Sequence, residues 1–418
     1  MTPSARLQAV IDILEGLEAT AQPADRFLRD WARARRYAGS KDRAAISERV
    51  YAVLRHRSSF AWRMGSGDAR SLVIASLLAE GLAPDGIAGL FDGQGYGAAP
   101  LSEAERHAVA SPPRGEPPLH VQGEFPPHLE PELARAFGSA LLDEMKAMQA
   151  RAPIDLRVNT LKATREAVCE ALRAEGYTVE PTLYSPVGLR LPPGEGAARL
   201  RLSRLYTEGA FEFQDQAAQM STLLCRVVPG MRVLDLAAGA GGKSLALAAL
   251  MQNRGEIVAH DIRPKALAEL ELRAKRAGVT IIRPSLESPK GTFDVVFVDA
   301  PCSGSGTWWR QPEQAKRLNI EQLNRLNALQ DELLNVGARA TAVGRKLVYA
   351  TCSVMPIENE DRIKAFSIRH CEFSEMPASE AWPSWLGEVP SGMDRYFRPT
   401  PRKLQTDGFF TAVLQRHR

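Results

Sequence analysis

Four apolar runs, each followed by a polar loop and then by residues at helical spacing, constrain this chain more than any other feature. MRVLDLAA (231–238), GEIVAHDI (255–262), FDVVFVDA (293–300) and RKLVYATC (345–352) are rich in β-branched residues. Strands covered on both faces of a parallel sheet read as such unbroken runs, whereas half-exposed strands alternate. The intervening stretches, Lys243–Met251, Pro264–Ala277 and Ile320–Val343, carry helical periodicity, and GFFTAVLQ (408–415) reads as a last strand. Strand and helix in alternation from about Thr222 onward predict an α/β domain built on a mostly parallel sheet.

The rest of the chain obeys different rules. At 418 residues it exceeds what one core usually holds. Residues 1–150 read as helical, with apolar positions at Leu7, Val10, Ile11, Leu14 and Leu17 and again at Ile46, Val50, Val53 and Leu54. A proline-rich stretch, Ser111 to Pro131, breaks that pattern and predicts short turns and a domain junction. Residues 151–210 are mixed: a strand in IDLRVNT, a helix over Arg165 to Glu175, then short strands in VEPTLY and VGLRL. The division that follows is a helical domain at 1–140, a linker and small α+β subdomain at 141–220, and the α/β domain at 221–418.

Charge bears on partners through its distribution, because a net +4 is small for this length. Between Arg26 and Arg63 eleven Lys and Arg face three acids, with Trp31, Tyr37, Phe60 and Trp62 interleaved. Cations with aromatics suit an RNA backbone and its exposed bases. A solvated helix face over core aromatics accounts for the same composition equally well. No stretch approaches the ~20 apolar residues of a membrane span, and Met1 to Thr20 reads as an amphipathic helix, not a signal peptide. A cytoplasmic protein without membrane contact is expected. Five scattered cysteines with no CxxC pair form neither a disulfide framework nor a zinc site, so no metal is expected.

The first strand of the α/β domain leads into Asp235-Leu-Ala-Ala-Gly-Ala-Gly-Gly-Lys-Ser244. Gly239, Gly241 and Gly242 let a ligand approach the backbone at the carboxyl end of the strand, where open α/β sheets bind ligands. The next strand ends at Asp261, where a carboxylate can accept hydrogen bonds from a ribose diol. Two other phosphate-loop patterns fail on residue identity. A P-loop needs glycine at 237, where this chain has Ala237, and the dinucleotide pattern needs glycine or alanine at 244, where it has Ser244.

The next two strands end in Asp299-Ala-Pro-Cys-Ser-Gly-Ser-Gly306 and Tyr349-Ala-Thr-Cys-Ser-Val-Met-Pro-Ile-Glu-Asn-Glu360. Cys302 and Cys352 therefore lie in polar loops at the sheet edge that carries the glycine-rich loop, and a functional role outweighs packing for both. Cys169, Cys225 and Cys371 read as inert packing. Thiols suit a reaction at carbon 5 of cytosine, a poor nucleophile until a thiolate adds to carbon 6 and breaks the aromaticity. A nearby cation favours the thiolate, and a carboxyl at the base edge stabilises the adduct.

The strings DAPCSGSG and YATCSVMPIENE, behind such a loop, resemble the paired cysteine motifs of the RNA cytosine-5 methyltransferases, the Sun/Fmu and NOP/NSUN family. LRVNTLK (with Arg157 and Asn159), FEFQDQAAQ (with Gln214 and Asp215) and DGFFTAVLQR extend the resemblance over about residues 150–418. It implies a Rossmann-like class I AdoMet-dependent methyltransferase domain with S-adenosyl-L-methionine as cofactor. It further implies Cys352 as nucleophile, Cys302 as an aid to product release, Asp299 at the base edge, and Lys243 at the methionine carboxylate or the cytosine. The cofactor set is Ala237, Ala238, Gly239, Ala240, Gly241, Gly242, Lys243, Asp261, Arg263 and Asp299.

GSKDRAAISERVYAVLRHR (39–57) is similar to a segment of the NusB-like helical domain found in bacterial ribosomal RNA members. That implies small-subunit rRNA as partner and presentation of the RNA by the basic helices and the subdomain around Arg157. Sequence-specific RNA reading needs splayed bases, so an unpaired loop or junction cytosine is the expected target, and a monomer is expected. A tRNA cytosine-5 methyltransferase and a non-catalytic RNA-binding assembly factor are the alternatives. Two departures from the family pattern stand out. Ala237, Gly239 and Ala240 occupy the Cys, Ala and Pro positions of its DxCAAPGGKT loop. In IIRPSLESPKGTFD no aspartate stands where the family holds the adenine amine, leaving Glu287 or a backbone carbonyl as substitute.

Overall fold

The computed structural model describes residues 1–418 apart from Glu195 and Ser391. Its strands are β1 (Ile154–Val158), β2 (Glu180–Pro181), β3 (Gly188–Leu191), β4 (Phe211–Phe213), β5 (Arg232–Leu236), β6 (Glu256–His260), β7 (Ile282–Ser285), β8 (Phe293–Asp299), β9 (Thr341–Thr351), β10 (Phe373–Met376) and β11 (Phe410–Arg416). Seven of them form one sheet in the order β10-β11-β9-β8-β5-β6-β7. From β9 to β7 the neighbours are parallel, and β11 and β10 add antiparallel strands at the other edge.

Two-sided burial explains the unbroken apolar runs. Val233, Val295, Phe297 and Val348 feed one core cluster, while Leu234, Leu236, Val296, Val298, Leu347 and Tyr349 feed another. Successive side chains of a strand point to opposite faces, so each run must be apolar throughout. At roughly 1.5–3 kcal/mol for each large apolar side chain fully buried, this sheet is the main source of the domain's stability.

The helices between the strands begin and end where local chemistry requires. Pro264–Ala277 has proline in its first turn and ends at Gly278 in the left-handed region. Ile320–Ala340 starts at Asn319, whose side chain accepts from Gln322 N at 2.8 Å. The periodicity had extended this helix to Val343, but the chain passes straight into β9 at Thr341. Thr341 pairs with Phe293, and its hydroxyl caps Gly337 O at 2.8 Å, so strand pairing outweighs helical spacing there.

A second, antiparallel sheet in the order β2-β3-β1-β4 carries the helix Arg165–Ala174 and its own core of Leu156, Val158, Val168, Leu172, Leu189 and Phe211. Strand β4 lies in FEFQD, which the sequence marked only as a family-like string. Asn159 joins this subdomain to the α/β domain, donating to Gly209 O at 2.9 Å and Ala277 O at 2.8 Å.

Residues 1–150, together with Trp308–Arg317, form a separate compact unit, and residues 151–307 with 318–418 form the other. Residues 1–150 contain helices from Pro3–Glu18 to Leu141–Ala147 and no strand. The predicted apolar positions are buried in it, with Leu54 partly so. Of the interleaved aromatics, Trp31 and Phe60 belong to this core while Tyr37 is exposed, so the bland reading holds for part of the basic segment. Arg26, Arg29, Arg33, Arg36, Lys41 and Arg43 remain exposed. Among the described residues no helix is long and apolar enough to cross a membrane.

Candidate active site

The glycine-rich loop leaves β5 at Leu236 and folds back on itself before the helix Gly242–Leu250. Ala237 has φ +67°, a left-handed conformation rare for a residue with a side chain. Gly241 has φ +78°, and a Cβ there would lie 2.5 Å from Leu270 Cγ, so only glycine fits. Gly239 N donates to Asp261 Oδ2 at 2.8 Å, joining the loop to the end of β6. Arg263 grips the same carboxylate with its backbone N, Nε and Nη2 at 2.8–2.9 Å. Burial alone would raise the Asp261 pKa, but the Arg263 and Gly239 hydrogen bonds outweigh it and bring it down to about 2. Asp261 is thus a fixed anionic acceptor at the end of β6.

Deeper in the strand lies Asp235, fully buried, with one oxygen accepting from Ser244 Oγ at 2.5 Å and Oδ1 without a partner. Burial pushes its carboxyl up to about 7, with Asp299 and Asp261 adding to the effect against Ser244 and Lys243.

On the neighbouring strands the predicted chemical residues converge. Lys243 Nζ meets Asp299 Oδ2 at 2.5 Å, and the Phe409 ring lies 5.5 Å from the ammonium. Cys302 Sγ and Cys352 Sγ are 3.4 Å apart. The hydrogen bond to Cys352, then burial, holds the Cys302 thiol well above its ordinary pKa. The two thiols are in hydrogen-bond contact, and either can be the donor. Burial opposes the charge on Lys243, but Asp299 and the Cys352 sulfur keep its pKa above the ordinary lysine value. A cation, a carboxylate and two thiols thus share one end of the sheet.

Several residues that hold this arrangement were given no role by the sequence, although some stood in its motifs. Gly306 N donates to Cys352 O at 2.9 Å, and Gly408 N donates to Gly306 O at 2.8 Å. A Cβ on Gly306 would meet Gly408 O at 1.8 Å, so three chain segments touch by backbone alone. Asp215 caps the helix Gln216–Leu223 and accepts from Asp407 N at 3.0 Å, linking two family-like strings that are far apart in sequence. Glu358, Ser303 and Gln330 form a buried network beneath Cys302. The strings quoted above contained Glu358 and Ser303, but nothing in residue type distinguished them from their neighbours.

One expectation needs correction. Cys169 and Cys225 are buried, but Cys371 is exposed and receives a hydrogen bond from Arg418 at 3.6 Å, so it is not packing. Arg157 itself is buried, and burial brings its pKa down to about 10 against the pull of Glu212. Glu287 is exposed and paired with Lys290 at 3.2 Å.

Strand order, loop and acid define the class: a Rossmann-like AdoMet-dependent methyltransferase. The family profile described as 16S rRNA methyltransferase RsmB/F matches residues 223–415, and the RsmF/B-like ferredoxin-like domain matches residues 125–194. A Synechocystis protein named "Probable ribosomal RNA small subunit methyltransferase B" is 31% identical over 71% of this chain and 68% of its own. A methyltransferase homologue from Pyrococcus horikoshii shares the fold at TM-score 0.60 and 25% identity, over 71% of this chain and 97% of its own. NSun6 of the same organism, crystallised with SFG, aligns at TM-score 0.61 and 21% identity over 70% and 99%. The chain belongs to the RsmB/F methyltransferase family.

Proposed function

We propose that this protein transfers a methyl group to carbon 5 of an unpaired cytosine in RNA, with small-subunit rRNA as the substrate. The observation that carries the reading is the pair of sulfurs 3.4 Å apart beside the Lys243–Asp299 ion pair. A methyltransferase acting on a good nucleophile such as an amine has no use for two thiols at its reacting end.

The residues divide the work as follows. Cys352, beside the Cys302 sulfur and within the field of Lys243, attacks carbon 6 as thiolate. The electron pair of the 5,6 double bond moves toward carbon 5, and Asp299 with Lys243 stabilises charge developing along the base edge. Bound S-adenosylmethionine supplies the methyl group, with the 237–243 loop, Asp261 and Arg263 holding it. Formation of the carbon–sulfur bond takes the Cys352 sulfur out of its hydrogen bond with Cys302, the first of the influences that raise the Cys302 pKa. Cys302 then gives its proton to solvent water and, as thiolate, takes the carbon-5 proton; the freed carbon–hydrogen electron pair reforms the 5,6 double bond and Cys352 leaves as thiolate. A base held in a duplex cannot reach such a site, hence the unpaired target. The exposed cations between Arg26 and Arg43 supply non-specific attraction for the RNA backbone.

The test is a denaturing gel of Cys302→Ala incubated with AdoMet and small-subunit rRNA, beside wild type and the double variant lacking Cys352. A heat-stable protein–RNA band confined to Cys302→Ala is the expected result. No band, with wild type also failing to methylate that RNA, would overturn the substrate and turn attention to tRNA, then to a non-catalytic assembly factor.

A further inference from the structure

A carboxylate buried without a cation is costly and needs a compensating set of hydrogen bonds. Glu358 is such a group: it is fully buried, and its hydrogen-bond donors are neutral. Oε1 accepts from Ser303 N at 2.8 Å and from Gln330 Nε2 at 3.1 Å, and Oε2 accepts from Ser303 Oγ at 2.5 Å. Gln330 Nε2 also donates to Pro301 O at 2.9 Å. The residues on either side of Cys302 are therefore both clamped, Ser303 by Glu358 directly and Pro301 through Gln330. The clamp is itself fixed, since Tyr349 Oη donates to Glu358 O at 2.7 Å from β9, the strand that ends beside Cys352.

We propose that Glu358 is a positioning residue for Cys302, required for the release half of the reaction and dispensable for the attack by Cys352. Ser303 Oγ also reaches Ser353 Oγ at 3.4 Å and accepts from Ser305 N at 3.2 Å, but Cys352 has further bonds of its own: its carbonyl accepts from Gly306 N, Ser353 Oγ meets Ser305 Oγ, and Thr351 is fixed by Asn359. Losing the Glu358 carboxylate therefore loosens the 301–303 segment and leaves the nucleophile's own strand end in place.

The inference rests on the release role proposed for Cys302, and the experiment separates the two. Wild type, Cys302→Ala, Glu358→Gln and Ser303→Ala are incubated with AdoMet and the methylated RNA. Turnover, the trapped protein–RNA fraction and AdoMet affinity are then measured. Glu358→Gln is expected to lower turnover about tenfold and raise the trapped fraction by a similar factor. AdoMet affinity should stay within about twofold, since no ligand contact is removed. Ser303→Ala, which keeps the Ser303 N bond to Glu358 but loses the hydroxyl's bonds to Glu358, Ser353 and Ser305, should shift the trapped fraction the same way by about threefold. Slower turnover in both variants with the trapped fraction at the wild-type level would overturn the proposal, because a merely structural defect slows attack and release together. Failure of Cys302→Ala itself to trap RNA would remove the release role and the inference with it.

Discussion

The two halves of this site sit on one sheet yet are held in opposite ways. Along β5 and β6 the backbone does the holding: a tight loop, glycines at positive φ, and one carboxylate bonded to a loop N–H. Along β8 and β9 side chains do it, through Lys243–Asp299, the two sulfurs and the network of Ser303, Ser305, Gln330, Ser353 and Glu358. A loop that works through its backbone tolerates exchange among small residues, and this is where the chain departs from the family pattern. A constellation that works through side chains does not, and there it keeps every chemical residue.

The comparison is sharpest at Cys352. Cys352→Ala is expected to lower methyl transfer by at least about a thousandfold, while AdoMet affinity, measured by calorimetry, changes by less than about twofold. Loss of binding in parallel with activity would show that the two halves are not independent.

Asp235 is the exception that tests the backbone side, because there a side chain is buried without full satisfaction. Its folded pKa of about 7 lies above the ordinary carboxyl value, so the folded state binds a proton that the unfolded state has lost. The protein should therefore lose stability as pH rises from about 4 to 7 and level off above, by on the order of 4 kcal/mol if the shift is fully realised. Asp235→Asn removes that slope: its unfolding free energy relative to wild type should climb across the window. A constant offset at all pH values would mean that Asp235 is ionised throughout.

How much of this was legible follows from the same division. Strands buried on both faces must be written in apolar residues, so β5, β6 and β8 could be read almost to the residue, while β9 was read without its first four residues, Thr341 to Gly344. The thiols and Asp299 could be read because unusual chemistry needs unusual residue types at strand ends. Strands β4 and β10 could not, being three and four residues long and defined by pairing with distant partners. The role of Trp308–Arg317 within the helical unit is equally non-local, since Arg317 donates to the carbonyls of Leu17, Thr20, Ala21 and Gln22 from nearly three hundred residues away. Glu358 was printed in the motif, but that it clamps Cys302 is a fact of three dimensions. Cys371 was misread because a buried thiol and an exposed one have the same letter.

Gly241 tests whether the cofactor half depends on backbone shape. Gly241→Ala places a side chain at φ +78° and drives its Cβ into Leu270. Strain and overpacking together should destabilise the protein by about 3 kcal/mol, read from denaturant unfolding. AdoMet affinity should fall as well, because the displaced segment carries the loop N–H groups. An unchanged affinity in the folded fraction would mean that the ligand is held by Asp261 and Lys243 instead.

Ala237 gives the smallest effect and the finest discrimination. It stands at φ +67°, where alanine is strained by roughly 1 kcal/mol and glycine is not. Ala237→Gly relieves that strain but gives the unfolded chain more freedom to lose on folding. The expected balance is a gain of at most about 1 kcal/mol, seen as a small rise in Tm with methyl transfer unaltered. A drop in AdoMet affinity alongside a stable or stabilised fold would show that the Cβ of Ala237 touches the ligand. The loop would then act partly through its side chains, and the contrast between the two halves of the site would be one of degree.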